Sequence, residues 1–428
     1  MPSSLPRRTL AGLLPIGVAL AAPSVAHAQQ APAANQSQPP VTQPAPEALP
    51  KSDLSTPNPY IKLVRRREWT VRAQVTLQAD RGVYYDPTYS QNDRFRFDSM
   101  TMIFPIARST ASSQWREGSV DGTIYIEQRK ADTNAELIGP YHSDSAYARY
   151  DTDGGDARTV RLLHTHETTS WDTVFNELAA LEVPWPTGAW PDEAMSTFGP
   201  QQYVNPQGDP DQPIVQLVSF WTEDKDPKSI QPVLLAKWLA GKVQEHVQLQ
   251  GDGVNRAYFV AGGFAVEGVE LLGAARTALA GRGSSHDMTC LLAAVYRAAG
   301  IPARTVIGID DDPERRSREV RSWVEFCLYD ETNKVVVWVP VDIAQLRSRS
   351  SRMQALDRPW EFFGTNDELH EVAPFAFHFV PPVDVRSYNS PAFYGWRQTP
   401  LNAPFANQIL DLDVNRTVQR GGAKPPQP

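Results

Sequence analysis

Trp69, Val71, Ala73, Val75 and Leu77 alternate with polar neighbours, the period of a half-buried strand. Shorter runs of the same kind follow at 94–98, 100–104, 122–128 and 158–166, separated by turn-rich stretches such as Asp151-Thr152-Asp153-Gly154-Gly155-Asp156. Residues 59–205 therefore predict an antiparallel β-rich, sandwich-like domain. The Pro/Trp segment 184–191 and the loop 205–213 mark its border. His164 and His166 share one face of their strand. Nothing nearby completes a ligand set, so they read as polar residues on an outer face.

Beyond the border the period becomes helical. Ile230, Val233, Leu234, Trp238, Val243 and Val247 follow 3.6-residue spacing, with Ser229 as N-cap. A second helix is predicted over 266–280, stopping at Gly281, and a third from Ser285, with Leu291, Leu292, Val295 and Tyr296 on its buried side. Gly300-Ile301-Pro302 is its stop signal. Apolar strands follow at 305–309, 323–329 and 334–341, the last two joined by a turn at 330–333. Helices followed by paired strands make residues 213–350 an α+β domain. Aromatic clusters over 351–412 are too apolar for a free tail and predict an extension packed on the core.

Composition narrows the class. A chain of 428 residues is long enough for two or three domains, and its net charge of −8 argues against a nucleic-acid partner. Two cysteines exclude a disulfide-dense scaffold and a multi-cysteine zinc site. Arg7 and Arg8, the apolar run 10–22 and Ala26-His27-Ala28 predict a secretory signal peptide over 1–28. The mature protein is then exported, periplasmic or extracellular, with no membrane span left after cleavage. Residues 29–58 read as a Pro/Gln-rich disordered linker and 413–428 as a disordered tail. No metal or cofactor is called for.

The segment GRGSSHDMTCLLAAVYRAAGIPARTVIG (281–308), with RSWVEFCLYD (321–330) and VVWVPVD (336–342), resembles the transglutaminase-like superfamily. That resemblance implies a papain-like α+β core over roughly 230–345 and acyl transfer or amide hydrolysis through a thioester. It also implies a triad of a Cys at a helix start, a His in His-Ala-Trp-x-Glu and an Asp in Trp-x-Pro-x-Asp. Carried over position by position, the nucleophile falls on Ser285, two residues before Asp287, and the base on Arg321, two before Trp323. Asp342 alone keeps the family's residue, and Glu325 shares the Arg321 strand.

A hydroxyl needs a general base, and a guanidinium stays protonated and cannot accept its proton. No catalytic residue is therefore expected at the positions of Ser285, Arg321 and Asp342, and Arg321 is expected to pair with Asp342. Cys290, four residues from His286, reads as a buried structural thiol. Cys327 shares strand parity with Arg321 and is expected to face the same helix, which leaves a Cys290–Cys327 disulfide chemically open. His370 and His378 read as structural packing in a Phe- and Pro-rich segment, with one of them folding back over the pocket as a replacement base the alternative, and Asp310-Asp311-Asp312 reads as a charged surface loop.

Three functions remain at this point. One is an exported, non-catalytic binding or scaffolding module in the cell envelope, with a protein, peptide or cell-wall partner, or a small anion held between Ser285 and Arg321. Another is an amide-processing enzyme (peptidase, amidase or acyltransferase) using substituted residues. The third is a chiefly structural envelope protein whose β domain mediates contacts.

Overall fold

The computed structural model describes residues 58–79, 94–141, 145–205, 212–256, 264–311, 319–381, 385, 393–400 and 406–416. The leader at 1–28, nearly all of the linker at 29–58 and the chain after Arg416 lie outside these residues. All described residues belong to a single contact unit, 47–428.

The chain opens with β1 (Ile61–Ala79), β2 (Phe95–Ala107), β3 (Ser113–Trp115), β4 (Asp121–Ile126), β5 (Arg129–Lys130), β6 (Asn134–Tyr141), β7 (Ser145–Ala157) and β8 (Thr159–Phe175). Then come α1 (Glu177–Ala180), α2 (Asp192–Met195), α3 (Gln212–Trp221), α4 (Pro232–His246), β9 (Gln248–Leu249), β10 (Val254–Arg256), β11 (Phe264–Val269), α5 (Ala274–Ala280) and β12 (Arg282–Gly283). The last part holds α6 (Ser285–Ala298), β13 (Ala303–Asp310), β14 (Glu319–Asp330), β15 (Val335–Val341), α7 (Ile343–Arg349), β16 (Val372–Ala376), β17 (Gly395–Thr399) and β18 (Ala406–Arg416).

Among the described residues, one sheet runs β10-β11-β18-β1-β8-β4-β5, with β3 also on β8, and a second runs β17-β2-β7-β6. The two face each other: Phe104 of β2 stacks on His164 of β8 with ring centroids 4.6 Å apart. His164 and His166 are both buried, which corrects their expected place on an outer face. They share strand parity with the buried Val160 and Leu162, so the same alternation that buries those carries the two imidazoles inward.

A third sheet, β15-β14-β13-β16, is antiparallel throughout and packs against α6. From His286 to Arg297 every residue of α6 is buried. Its start is fixed by a capping box in which Ser284 Oγ accepts from Asp287 N (3.1 Å) and Asp287 Oδ2 accepts from Ser284 N (2.9 Å). At its end Gly300 takes φ +83°, donating to the Arg297 carbonyl, and Ile301 N donates to the Tyr296 carbonyl. This is the Schellman arrangement, and Pro302 follows it.

Three expectations are corrected. The helix predicted over 266–280 is a strand, β11, followed by a short helix. Gly268 and Gly273 interrupt the helical run, and β18 offers Phe264–Val266 a ladder to join. Gln231 caps α4, while Ser229 closes a preceding 3₁₀ turn. The last strand extends to Arg416, so residues 413–416 are sheet and not the start of a tail. The extension after 350 is spread among the three larger sheets through β16, β17 and β18.

Candidate functional site

Successive side chains of β14 point to opposite faces of its sheet, and this alternation decides what each residue meets. Ser322 faces α6: its Oγ lies 2.7 Å from His286 Nδ1 and 3.0 Å from Thr289 Oγ1. Phe326, of the same parity, packs on Tyr296 of α6 with ring centroids 5.6 Å apart. Arg321, Trp323, Glu325 and Cys327 take the other face.

There the Arg321 guanidinium is surrounded by acids. Its Nε donates to Asp342 Oδ2 at 2.8 Å, Nη1 reaches Asp310 Oδ2 at 3.4 Å, and Nη2 reaches Glu368 Oε2 at 3.0 Å. Burial works against the charge, but the three carboxylates outweigh it and hold the guanidinium's pKa above its ordinary value. Asp342 uses its second oxygen to cap α7, accepting from Gln345 N at 3.0 Å. Gly308, opposite Arg321 in the ladder, leaves room for β16, since a Cβ there would lie 2.6 Å from Val372 Cγ1.

Ser285 opens α6 and is half-buried, and among the described residues its hydroxyl makes no hydrogen bond. The structure thus joins Arg321 to Asp342 and forms no hydrogen bond between Ser285 and either. Asp287 serves the backbone, accepting from Leu272 N (2.8 Å) and Gly273 N (3.1 Å) besides its place in the cap. Trp323 is buried among Ala107, Val306, Leu369, Val372 and Phe377. Glu325 is spent on Arg304 Nη2 (2.8 Å) and Ala111 N (2.8 Å), an ion pair away from Arg321.

Several expectations change here. Arg321 does not offer an anion its charge, because three carboxylates already claim it; the small-anion site loses its cation. Asp310 is a buried partner of Arg321 rather than a surface-loop residue. Residues 312–318 lie outside the described part. Cys327 packs with Ala111, Ala194 and Trp338 on the face turned away from α6, and both cysteines are free and buried. Burial pushes both thiols well above their ordinary pKa, most strongly disfavouring the thiolate. His370 sits between Asp172 Oδ1 (2.8 Å) and Glu371 Oε1 (3.0 Å) beside β8, and His378 lines a small gap with Pro105 and Ser145.

Sequence reasoning missed Ser322, Asp310 and Glu368. The parity of Ser322 relative to Trp323 was the signal for the first; Glu368 arrives from a distant part of the chain and has none. His286 is wholly buried, which pulls its pKa down to about 4, and among the described residues its Nε2 has no hydrogen-bond partner. No group of three metal-ligating side chains occurs among the described residues, and no described helix is long and apolar enough to cross a membrane.

A buried central helix against an antiparallel sheet, with polar groups gathered at the strand ends, is an α+β core. Residues 267–343 match the model of the Transglutaminase-like superfamily. No curated protein matches the chain. Among solved structures, a "Putative Cysteine Protease" from Cytophaga hutchinsonii is similar at 13% identity with a TM-score of 0.42, over 82% of this chain and 100% of that one. A "putative protease" from Parabacteroides distasonis is similar at 9% identity with a TM-score of 0.19, over 70% of this chain and 65% of that one.

Proposed function

We propose that this is an exported transglutaminase-like protein that has given up acyl chemistry and serves as a binding or scaffolding module in the cell envelope, with a protein, peptide or cell-wall partner. The observation that carries this reading is Arg321, held by Asp342 at 2.8 Å, by Glu368 at 3.0 Å and by Asp310 at 3.4 Å where the family pattern has an imidazole. A cation so enclosed has no free electron pair and no freedom to move, so it cannot act as a base toward Ser285. Both thiols are buried and neutral, which supports the same reading.

The test is enzymatic. The purified protein is expected to hydrolyse neither glutamine amides nor peptides, and iodoacetamide at neutral pH is expected to label neither Cys290 nor Cys327 until the protein is unfolded. Ser285→Cys with Arg321→His restores the family's residue types and is expected to gain hydrolysis. A parent as active as that variant overturns the proposal.

One observation favours the enzyme reading: Ser322 Oγ and His286 Nδ1, 2.7 Å apart, have the spacing of a nucleophile and its base. Ser322 is 2% exposed and His286 0%, which leaves a substrate no approach. An amide-cleaving activity abolished by Ser322→Ala and unaffected by Ser285→Ala would establish it.

A further inference from the structure

The inner face of β8 carries a buried polar run that the proposed function does not use. After Val160 and Leu162 it presents His164 and His166, each 1% exposed. Tyr150 Oη lies 2.7 Å from His164 Nδ1, and His164 Nε2 lies 2.8 Å from His166 Nδ1. Tyr150 belongs to β7, so this chain of hydrogen bonds crosses from the second sheet to the first. Gly122 of β4 makes the crossing possible, since a Cβ there would stand 2.7 Å from the Tyr150 ring. Phe104 of β2 covers both imidazoles, at 4.6 Å from His164 and 6.5 Å from His166, and is backed by Phe375 of β16 at 5.9 Å.

Among the described residues no carboxylate is paired with either imidazole. Val71 and Ala73 of β1 lie opposite His166 and His164 in the ladder. From β4, the Asp121 carbonyl lies 3.3 Å from Tyr150 Oη, while its carboxylate accepts from Gly122 N. Farther along the same face Thr168 and Ser170 donate to the carbonyls of Gln114 and Val372, and Asp172 at the end is held by His370 and Arg65. Among the described residues neither His164 nor His166 forms an ion pair.

Proton counting shows what such a chain tolerates. With both imidazoles neutral, one proton sits in each link: Tyr150 donates to His164 Nδ1, and His164 Nε2–H donates to His166 Nδ1. A single imidazolium at His164 can still donate both ways, with Tyr150 turning its hydroxyl to the Asp121 carbonyl, but it carries an uncompensated charge into the space between the sheets. A second proton places two N–H groups against each other across 2.8 Å and breaks the link.

We infer that His164, His166 and Tyr150 form an acid-sensitive latch between the two sheets, closed while both imidazoles are neutral and released, with the β2–β7 layer, when both are protonated. Burial lowers the pKa of His166 to about 3 and that of His164 well below its ordinary value, His166 adding to the effect on the latter. The opened state recovers the ordinary value near 6.5. Folded pKa values are depressed, so the latch is intact above about pH 6.5 and loses hold as pH falls below it, about tenfold in the opening equilibrium per proton and pH unit.

Two measurements on the full chain test this. Urea unfolding followed from pH 7 to 5 is expected to show a pH slope smaller by about one proton in His166→Gln, which keeps an acceptor for His164 but cannot charge, and by about two in His164→Gln with His166→Gln. A slope unchanged by both replacements overturns the latch. Should the variants fail to fold, hydrogen exchange of the unaltered protein decides. After correction for intrinsic rates, amides of β2 and β7 are expected to lose protection at pH 5 before those of β13, β14 and β15. Uniform loss, or earlier loss in the β13–β15 sheet, overturns it.

Discussion

Arg321 shows how much one side chain is asked to balance. Its guanidinium is 9% exposed and meets Asp342, Asp310 and Glu368 at once. Arg321→Met should therefore cost more than a lost contact, because it leaves carboxylates buried without a cation, and a destabilisation of about 3–5 kcal/mol is expected from urea unfolding at pH 7. A loss under about 1 kcal/mol at pH 7 would mean that water reaches the cluster and screens it. The Arg321–Asp342 pair was legible in the sequence, since two motifs placed both residues. Glu368 was not, because an ion pair leaves no mark on the sequence around either partner. The inward place of His164 and His166 follows the parity they share with Leu162 and not their polarity, because paired polar groups can be buried when each hydrogen bond is met.

Among the elements, α6 was the most legible, because its apolar spacing and its Gly300-Ile301-Pro302 stop agree with each other. Its start depends on Asp287, whose carboxylate accepts from Ser284 N, Leu272 N and Gly273 N. Ser284→Ala removes one cap and is expected to cost about 1–2 kcal/mol. Asp287→Ala strands several buried N–H groups and is expected to cost about 2–4 kcal/mol, with α6 amides exchanging faster in both. Equal losses in the two variants would show that Asp287 acts only through the capping box. The sequence of β11 fits a helix as well as a strand, because a short apolar run satisfies either period, and only the β18 ladder beside it selects one.

At the scale of the molecule, chain order and spatial order part company. The strand β18, last in sequence, lies between β11 and β1, and Val71, Ala73 and Val75 face Val414, Leu412 and Leu410 across the ladder. Ending the chain at residue 405 removes an interior strand and exposes both neighbours, so that variant is expected to yield little soluble protein and to lack a cooperative melt. A cooperative melt within a few degrees of the full chain would show that β18 only decorates the sheet. Lys237 makes a comparable long tie, its buried ammonium 2.5 Å from Glu177 Oε1 and 2.6 Å from the Arg358 carbonyl.

The sequence alone determined the local periods, the limits of α6, the α+β character of the core and the residue types standing at its three motif positions, because each depends on neighbours within a few turns or strands of chain. Only the tertiary structure decided that one contact unit holds every described part, that β14 turns Ser322 to the helix and Arg321 away from it, and that two histidines lie between sheets. Those outcomes depend on which distant surfaces meet, and burial is settled by the partner as much as by the residue itself.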